Sequence, residues 1–412
     1  MQNNTKKFLG VVLTCLATSA CGGATPTPNV PIDKSKFPNY IEDVDSIVYD
    51  YNDVTRIQPF WKGNIIYNET VLLRKDESTG EVSGNLMFKP VKVLAVKDYT
   101  LKTIDYQPNS DYKIEGNKII RIEGSRIPYL TEANLKGEDI PEGYRLVNSI
   151  ENVKTDIVNF GATLYTESPF YYGNQIQVSY VYDVRDIVND LDKYPTYDSI
   201  KLLRLQDKIA KGETIKILGQ GDSVMFGCST SKTFDHEPYM DTFIELTRKE
   251  MERRNNASVI LENIAVGGKE SSWGSSDEQI RKIIDNNPDV VFLHFGINDL
   301  GSKISKNIYY EQMQKIILNV RVKLPAVEFV LLSPFAPHQD MYDYVKMNEY
   351  VEKLYQLEKE NNGVKVIDMF NLSKEMIKNK DYYDMTGNGV NHPNDFAARS
   401  YVEAIISTIY NK

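Results

Sequence analysis

Five short apolar runs in the second half of the chain, with helix-length periodic stretches between them, constrain the fold most. They are Ile215-Lys216-Ile217-Leu218, Ser258-Val259-Ile260-Leu261, Val290-Val291-Phe292-Leu293, Phe329-Val330-Leu331-Leu332 and Val364-Lys365-Val366-Ile367. Short apolar runs in alternation with amphipathic helices specify parallel strands covered on both faces. Helices are expected near Pro238 to Arg254, Asp277 to Asp285, Tyr309 to Lys323 and Tyr344 to Glu360. A last helix should start after Asn394 or Asp395, either of which is a suitable N-cap. It would carry Phe396, Ala397, Tyr401, Ala404, Ile405 and Ile409 on one apolar stripe. Right-handed crossovers then give an α/β, flavodoxin-like, three-layer domain over 214–412.

The preceding part differs in kind. Residues 38–185 read as a β-rich, sandwich or jelly-roll-like domain. Candidate strands are Thr70 to Arg74, Val91 to Val96, Lys118 to Ile122 and Ile176 to Val181, with turn signals such as Glu115-Gly116-Asn117 between them. Residues 186–213 are polar, partly helical, and read as a connector.

Residues 1–21 read as a targeting segment. Lys6 and Lys7 precede an apolar run from Phe8 to Ala17, too short to span a bilayer. Thr18, Ser19 and Ala20 lead to Cys21. This resembles a bacterial lipoprotein signal, which implies Cys21 as the lipidation site. Thr18 stands where Leu is usual, so ordinary secretory cleavage is the alternative. Residues 22–37, with Gly22-Gly23-Ala24-Thr25-Pro26-Thr27-Pro28, form a tether. The expectation is an exported, cell-surface or membrane-anchored lipoprotein that meets the membrane only through its N-terminal lipid. Only Cys228 remains in the mature body, so no disulfide framework is expected. A formal charge of -9, with no basic stripe interleaved with aromatics, argues against a nucleic-acid partner.

Four blocks carry chemistry: Gly221-Asp222-Ser223, Asn263 to Gly268, Gly296-Ile297-Asn298-Asp299, and Asn391-His392-Pro393. Ser223 follows the first strand in a Gly-rich turn, a place that exposes a hydroxyl beside backbone N–H groups. A phosphate-binding or structural turn is the alternative. The Lys of a Walker A loop is missing, and Met225 replaces the second Gly of an α/β-hydrolase elbow. Gly268 could bring its N–H close to a substrate or could simply turn the chain. Asn298 is a suitable neutral oxyanion donor, Asp299 a loop brace. Among four histidines, His294 lies in an apolar strand and His236 in a polar run. His338 follows the fourth strand, and His392 precedes the last helix. His392 is the candidate base and His338 the runner-up. Neither paired histidines nor a cysteine cluster suggests a metal site.

Together these blocks resemble the SGNH (GDSL-type) esterase/lipase superfamily, over roughly 214–412. The resemblance implies Ser223 as nucleophile and His392 as general base. It also implies an oxyanion hole of Ser223 N–H, Gly268 N–H and Asn298 Nδ2. Ester hydrolysis would proceed through an acyl-enzyme without metal or organic cofactor. The family's Asp three residues before the His is replaced by Gly389. A Ser–His dyad oriented by the Gly389 carbonyl is therefore expected, with Asp384 or Asp395 as displaced carboxylates. A β-rich domain ahead of such a domain on an exported lipoprotein looks like several carbohydrate esterases. The expected substrate is an O-acetylated carbohydrate. The alternatives are a lipid-directed acylhydrolase (lysophospholipase or thioesterase) and a non-catalytic surface binding protein.

Overall fold

The structure is a computed structural model that describes residues 31–49, 57–187, 191, 193–198 and 200–411. The targeting segment, Cys21 and most of the tether lie outside the described residues. Among the described residues, ten strands build the β-rich region: β1 (Ile65–Leu72), β2 (Arg74–Lys75), β3 (Val82–Asn85), β4 (Pro90–Asp98), β5 (Tyr112–Glu115), β6 (Lys118–Arg121), β7 (Arg145–Val147), β8 (Asp156–Asn159), β9 (Leu164–Thr166) and β10 (Gln175–Tyr182). They form three sheets, in the orders β1-β10-β4, β2-β3-β6-β5 and β7-β8-β9. The pairs are antiparallel except β7 with β8. All eight residues of β10 are buried, polar Gln175, Gln177 and Ser179 included. A strand buried on both faces must find partners for such groups. Gln177 Nε2 donates to the Tyr99 carbonyl at 2.7 Å, and Ser179 Oγ to Asn68 Oδ1 at 3.0 Å. One short helix, α1 (Glu132–Lys136), closes with a capping box at Thr131 and a left-handed Gly137.

After α2 (Leu203–Lys211) the chain alternates. Five strands, β11 (Ile215–Gly221), β12 (Val259–Asn263), β13 (Val290–His294), β14 (Glu328–Leu332) and β15 (Val364–Ile367), form one parallel sheet in the order β12-β11-β13-β14-β15. That order reverses direction at β11, the flavodoxin-like arrangement expected from the sequence. The helices are α3 (Ser223–Phe226), α4 (Phe243–Asn255), α5 (Ser271–Gly274), α6 (Asp277–Asn286), α7 (Ile297–Gly301), α8 (Lys306–Lys323), α9 (Tyr344–Glu360), α10 (Met369–Ile377) and α11 (Asp395–Ile409).

Strand alternation sorts the core. Leu218, Val291, Leu293, Phe329, Leu331, Val364 and Val366 pack on one side against Ile280 and Ile283 of α6, the buried stripe of α8, and Leu354 and Leu357 of α9. On the other side, His294 meets Tyr401 of α11, whose ring stacks on Phe243 of α4 at 4.7 Å. Side-chain caps start the long helices: Thr242 for α4, Ser276 for α6, Ser305 for α8, Asp343 for α9 and Asn394 for α11.

Residues Lys34–Lys412 form one compact unit. The two regions meet most closely along the segment that leads into α11. Asn394 Nδ2 donates to Gln175 Oε1 at 2.9 Å and to Thr70 Oγ1 at 3.0 Å. Leu72 N donates to Asp384 Oδ1 at 2.7 Å, and Thr166 N to the Asn388 carbonyl at 3.2 Å. No described helix is long and apolar enough to cross a membrane.

Candidate active site

The first three blocks sit at the carboxyl ends of β11, β12 and β13, where parallel sheets place their sites. Ser223 is the first residue of α3, and its N-cap is Asp222, whose Oδ1 accepts from Val224 N at 3.0 Å. N–H groups in a first helical turn have no carbonyl one turn back, which leaves them for a ligand. Gly221 is required by sterics: a Cβ there would collide with the His294 carbonyl and lie 2.8 Å from Met225 Cβ. The glycines at 219 and 221 thus let α3 and β13 close on the serine.

The fourth block returns from α10 to the same point. His392 Nε2 lies 2.8 Å from Ser223 Oγ. Both residues are buried, at 8% and 7% exposure. The histidine is held by a residue the sequence did not single out. Asn388 Oδ1 accepts from the N–H groups of Val390, Asn391 and His392 at 2.9–3.0 Å. The signal was present, because Asn in a Gly/Asn-rich loop is the residue that folds its side chain onto backbone N–H groups.

The segments that carry the expected oxyanion groups adjoin one another. Gly268 has a φ of +72°, a left-handed turn. The neighbouring Gly267 passes close to the nucleophile: a Cβ on it would lie 3.7 Å from Ser223 Cβ. Asn298 Nδ2 donates to the Lys269 carbonyl at 3.1 Å, joining the loop after β13 to the Gly268 turn. Asn263 braces that turn, donating to the Met225 carbonyl at 3.0 Å and accepting from Ala265 N at 3.2 Å. Asp299 is a buried brace too, accepting from Ser271 N at 3.1 Å and from its hydroxyl. Burial pushes its carboxyl up to about 6 despite those bonds.

The remaining histidines lie elsewhere. His294 is a core residue beneath the nucleophile: Nδ1 lies 3.0 Å from Asp222 Oδ1 and Nε2 3.1 Å from the Tyr401 hydroxyl. His236 stacks on Tyr172 at 4.0 Å. His338 lies 3.5 Å from the Tyr383 hydroxyl, and burial lowers its pKa. Cys228 packs beside the site, where burial, then the Glu167 charge, pushes its thiol up to about 12, leaving it an unreactive neutral group.

One expectation is corrected. The Gly389 carbonyl does not orient His392; it accepts from Thr163 Oγ1 at 3.3 Å. Gly389 has a φ of +83°, and a Cβ there would run into the Leu164 carbonyl and the Tyr171 ring. The β-rich region fills the space where the family's Asp would stand. Neither displaced carboxylate takes the place. Asp384 accepts from Leu72 N and from Asp381 N, at 2.7 and 3.1 Å. Asp395 accepts from Ser231 N at 2.8 Å. The groups beside His392 Nδ1 are instead Ser229 Oγ at 3.2 Å and Glu167 Oε1 at 3.4 Å.

Among the described residues, no group of three or more His, Cys, Asp or Glu side chains is placed to hold a metal ion. A search of curated proteins finds no match. Among solved structures, the chain is similar to a two-domain esterase active on acetylated mannans, at 17% identity and a TM-score of 0.39. That match covers 52% of this chain and 53% of the other, so the chain spans about half the length of that esterase. It is also similar to an acetylxylan esterase from Geobacillus stearothermophilus, at 16% identity and a TM-score of 0.40, over 47% of this chain and 94% of the other. The α/β hydrolase LAE5 from the metagenome of Lake Arreo, Spain, matches at 16% identity and a TM-score of 0.39, over 47% and 94%. Residues 220–399 match the family described as GDSL-like lipase/acylhydrolase, and they span all four blocks that meet at Ser223. Block order and strand placement agree with that match over residues 220–399.

Proposed function

We propose that this protein is a serine ester hydrolase that works through an acyl-enzyme on short acyl groups, namely O-acetyl groups of carbohydrate. The observation that carries the reading is the 2.8 Å contact between Ser223 Oγ and His392 Nε2. In it, His392 Nε2 takes the Ser223 proton as Oγ attacks the ester carbonyl carbon. Ser223 N–H, Gly268 N–H and Asn298 Nδ2 hold the oxyanion. The intermediate collapses, the C–O bond to the alcohol breaks, and His392 gives its proton to the departing oxygen. Water, deprotonated by the same nitrogen, then releases the acid and restores the serine.

Two features support a small acyl group on a sugar. The nucleophile is nearly buried, with Gly267 beside it, which suits a small acyl group better than a long one. Beyond Glu167, which neighbours the imidazole, lies an aromatic pair: Phe160, 47% exposed, stacks on Tyr165 at 5.4 Å. The Tyr165 hydroxyl in turn donates to Glu167 Oε1 at 2.8 Å. An exposed ring with polar neighbours suits the apolar face of a pyranose, since aromatic bodies with polar tips are the usual recognition elements. We further propose, from the sequence, that the enzyme is exported and anchored by lipid on Cys21. A Cys21→Ala variant recovered in the soluble rather than the membrane fraction would support that.

The test is hydrolysis of p-nitrophenyl acetate, butyrate and octanoate by the mature chain, with Ser223→Ala alongside. Acetate preference with a loss on the order of 10⁴-fold or more in the variant is expected. Octanoate preference would move the substrate to lipids. Equal turnover by the variant would remove Ser223 from the mechanism.

A further inference from the structure

We propose that Glu167, which the β-rich region contributes, is the positioning carboxylate for His392, so that the catalytic machinery is completed across the two regions of the fold. This rests on the Ser223–His392 reading above and extends it to a residue outside the family-matched segment.

The argument is one of proton placement. For His392 Nε2 to accept the Ser223 proton, the neutral ring must carry its own proton on Nδ1. The two groups facing Nδ1 are Ser229 Oγ at 3.2 Å and Glu167 Oε1 at 3.4 Å. A serine hydroxyl alone leaves the tautomer undecided, because it can either accept from Nδ1 or donate to it. Glu167 settles the choice. The Ser229 hydroxyl donates to Glu167 Oε2 at 3.5 Å, which turns its lone pairs to Nδ1–H, and Oε1 accepts only. The ring is then held with Nε2 bare toward Ser223.

Glu167 is built for this place. It follows β9, and β9 is tied to the histidine loop by Thr166 N to the Asn388 carbonyl and by Thr163 Oγ1 to the Gly389 carbonyl. The segment whose Leu164 carbonyl and Tyr171 ring exclude a side chain at position 389 is the segment that delivers the carboxylate. The Tyr165 hydroxyl fixes Oε1. Among the described residues, no lysine or arginine pairs with Glu167. Burial raises the Glu167 pKa, but His392, Tyr165 and Asn388 outweigh it and hold the carboxyl below its ordinary value. The other titratable groups beside the pair are Tyr165 and Cys228. Burial, then the Glu167 charge, pushes both above the range in which imidazole titrates. Asp222 is engaged by His294.

The experiment compares wild type with Glu167→Gln and Glu167→Asp, as full mature chains, on p-nitrophenyl acetate across pH. Nitrogen NMR of His392 is recorded on the same proteins. In Glu167→Gln, kcat should fall about 10²- to 10⁴-fold, the range expected when the neutral ring is left free to take the wrong tautomer. KM should stay within a few-fold. Nitrogen NMR should show the Nδ1–H tautomer of His392 in wild type and a mixture with the Nε2–H tautomer in Glu167→Gln. Glu167→Asp should recover part of kcat and most of the Nδ1–H tautomer. If both variants fold and kcat and the His392 tautomer stay as they are in wild type, Glu167 is a structural residue and the proposal fails. If the wild type itself hydrolyses none of the esters, the Ser223 reading is in question. The NMR comparison still decides this proposal, since an unchanged His392 tautomer in Glu167→Gln overturns it.

Discussion

The α/β region and the β-rich region are stabilised in different ways. In the parallel sheet, Val290 to Leu293 and Phe329 to Leu331 are fully buried aliphatic and aromatic residues, and the strands sit between helices on both sides. Non-directional burial dominates there. In the β-rich region the most buried strand, β10, carries Gln175, Gln177 and Ser179 inside. Beside its own apolar core of residues such as Leu72, Ile157, Leu164 and Phe170, that region adds directed polar bonds, several of them to the segment of residues 380–395. Non-directional burial tolerates a changed neighbour; directed bonds depend on theirs. The histidine loop lies on the second kind of contact although it belongs to the first region.

The sharpest way to break this comparison is to separate the regions. Residues 214–412 contain the whole family-matched segment, 220–399, yet expression of that piece should give less than about 1% of the esterase activity of the full mature chain. It would lose the partners of Asp384, Asn388, Gly389 and Asn394, which place His392. Full activity from the isolated piece would show that the β-rich region is dispensable for the chemistry. The next effect is thermodynamic. Lys380 is fully buried, paired with Glu69 of β1 and 3.3 Å from Asp384 Oδ2. Glu69 also accepts from Met87 N at 2.8 Å and from the Tyr180 hydroxyl. Lys380→Met removes one member of a desolvated cluster and should cost about 3–5 kcal/mol in urea unfolding. Lys211→Met breaks an exposed, solvent-screened pair with Asp207 and should leave the urea midpoint essentially unchanged. Equal losses would mean that the inter-region cluster is no more than a surface pair.

How much of this was legible in the sequence follows the same division. Strand 364–367 and helix 344–360 fall where the apolar period puts them, because burial on a known face is written locally. Strand order and the Ser223–His392 pairing follow from the crossover rule and block order. The helix expected from Pro238 starts instead at Phe243, since Thr242 with Glu245 three residues on supplies the cap. The apolar period does not single out α10, although Asp368 caps it and six of its nine residues are buried. Four of the ten strands described there, β1, β4, β6 and β10, are marked by apolar runs, but not the shorter ones nor their division into three sheets, which depends on pairings far apart in sequence. Glu167 left no local mark at all. It lies in the other half of the chain from His392, and the only hint was negative. A glycine where a carboxylate is usual means that the carboxylate, if there is one, arrives from elsewhere.

The smallest expected effect tests the β-rich region's other contribution. Phe160 is exposed, stacks on Tyr165, and through it adjoins the Glu167–His392 pair. If its ring is a platform for the sugar, Phe160→Ala should raise KM for an acetylated oligosaccharide about three- to tenfold, the loss of one aromatic contact worth about 0.5–1.5 kcal/mol. kcat should hold, because the ring touches neither Ser223 nor the imidazole. Turnover of p-nitrophenyl acetate, which has no sugar to stack, should not change. A fall in both substrates would mean that Phe160 acts only by bracing Tyr165, and the region's role would then reduce to holding one carboxylate. A loss confined to the glycan would give the β-rich region two separable tasks, one on the base and one on the substrate, reached from the same short stretch around β9.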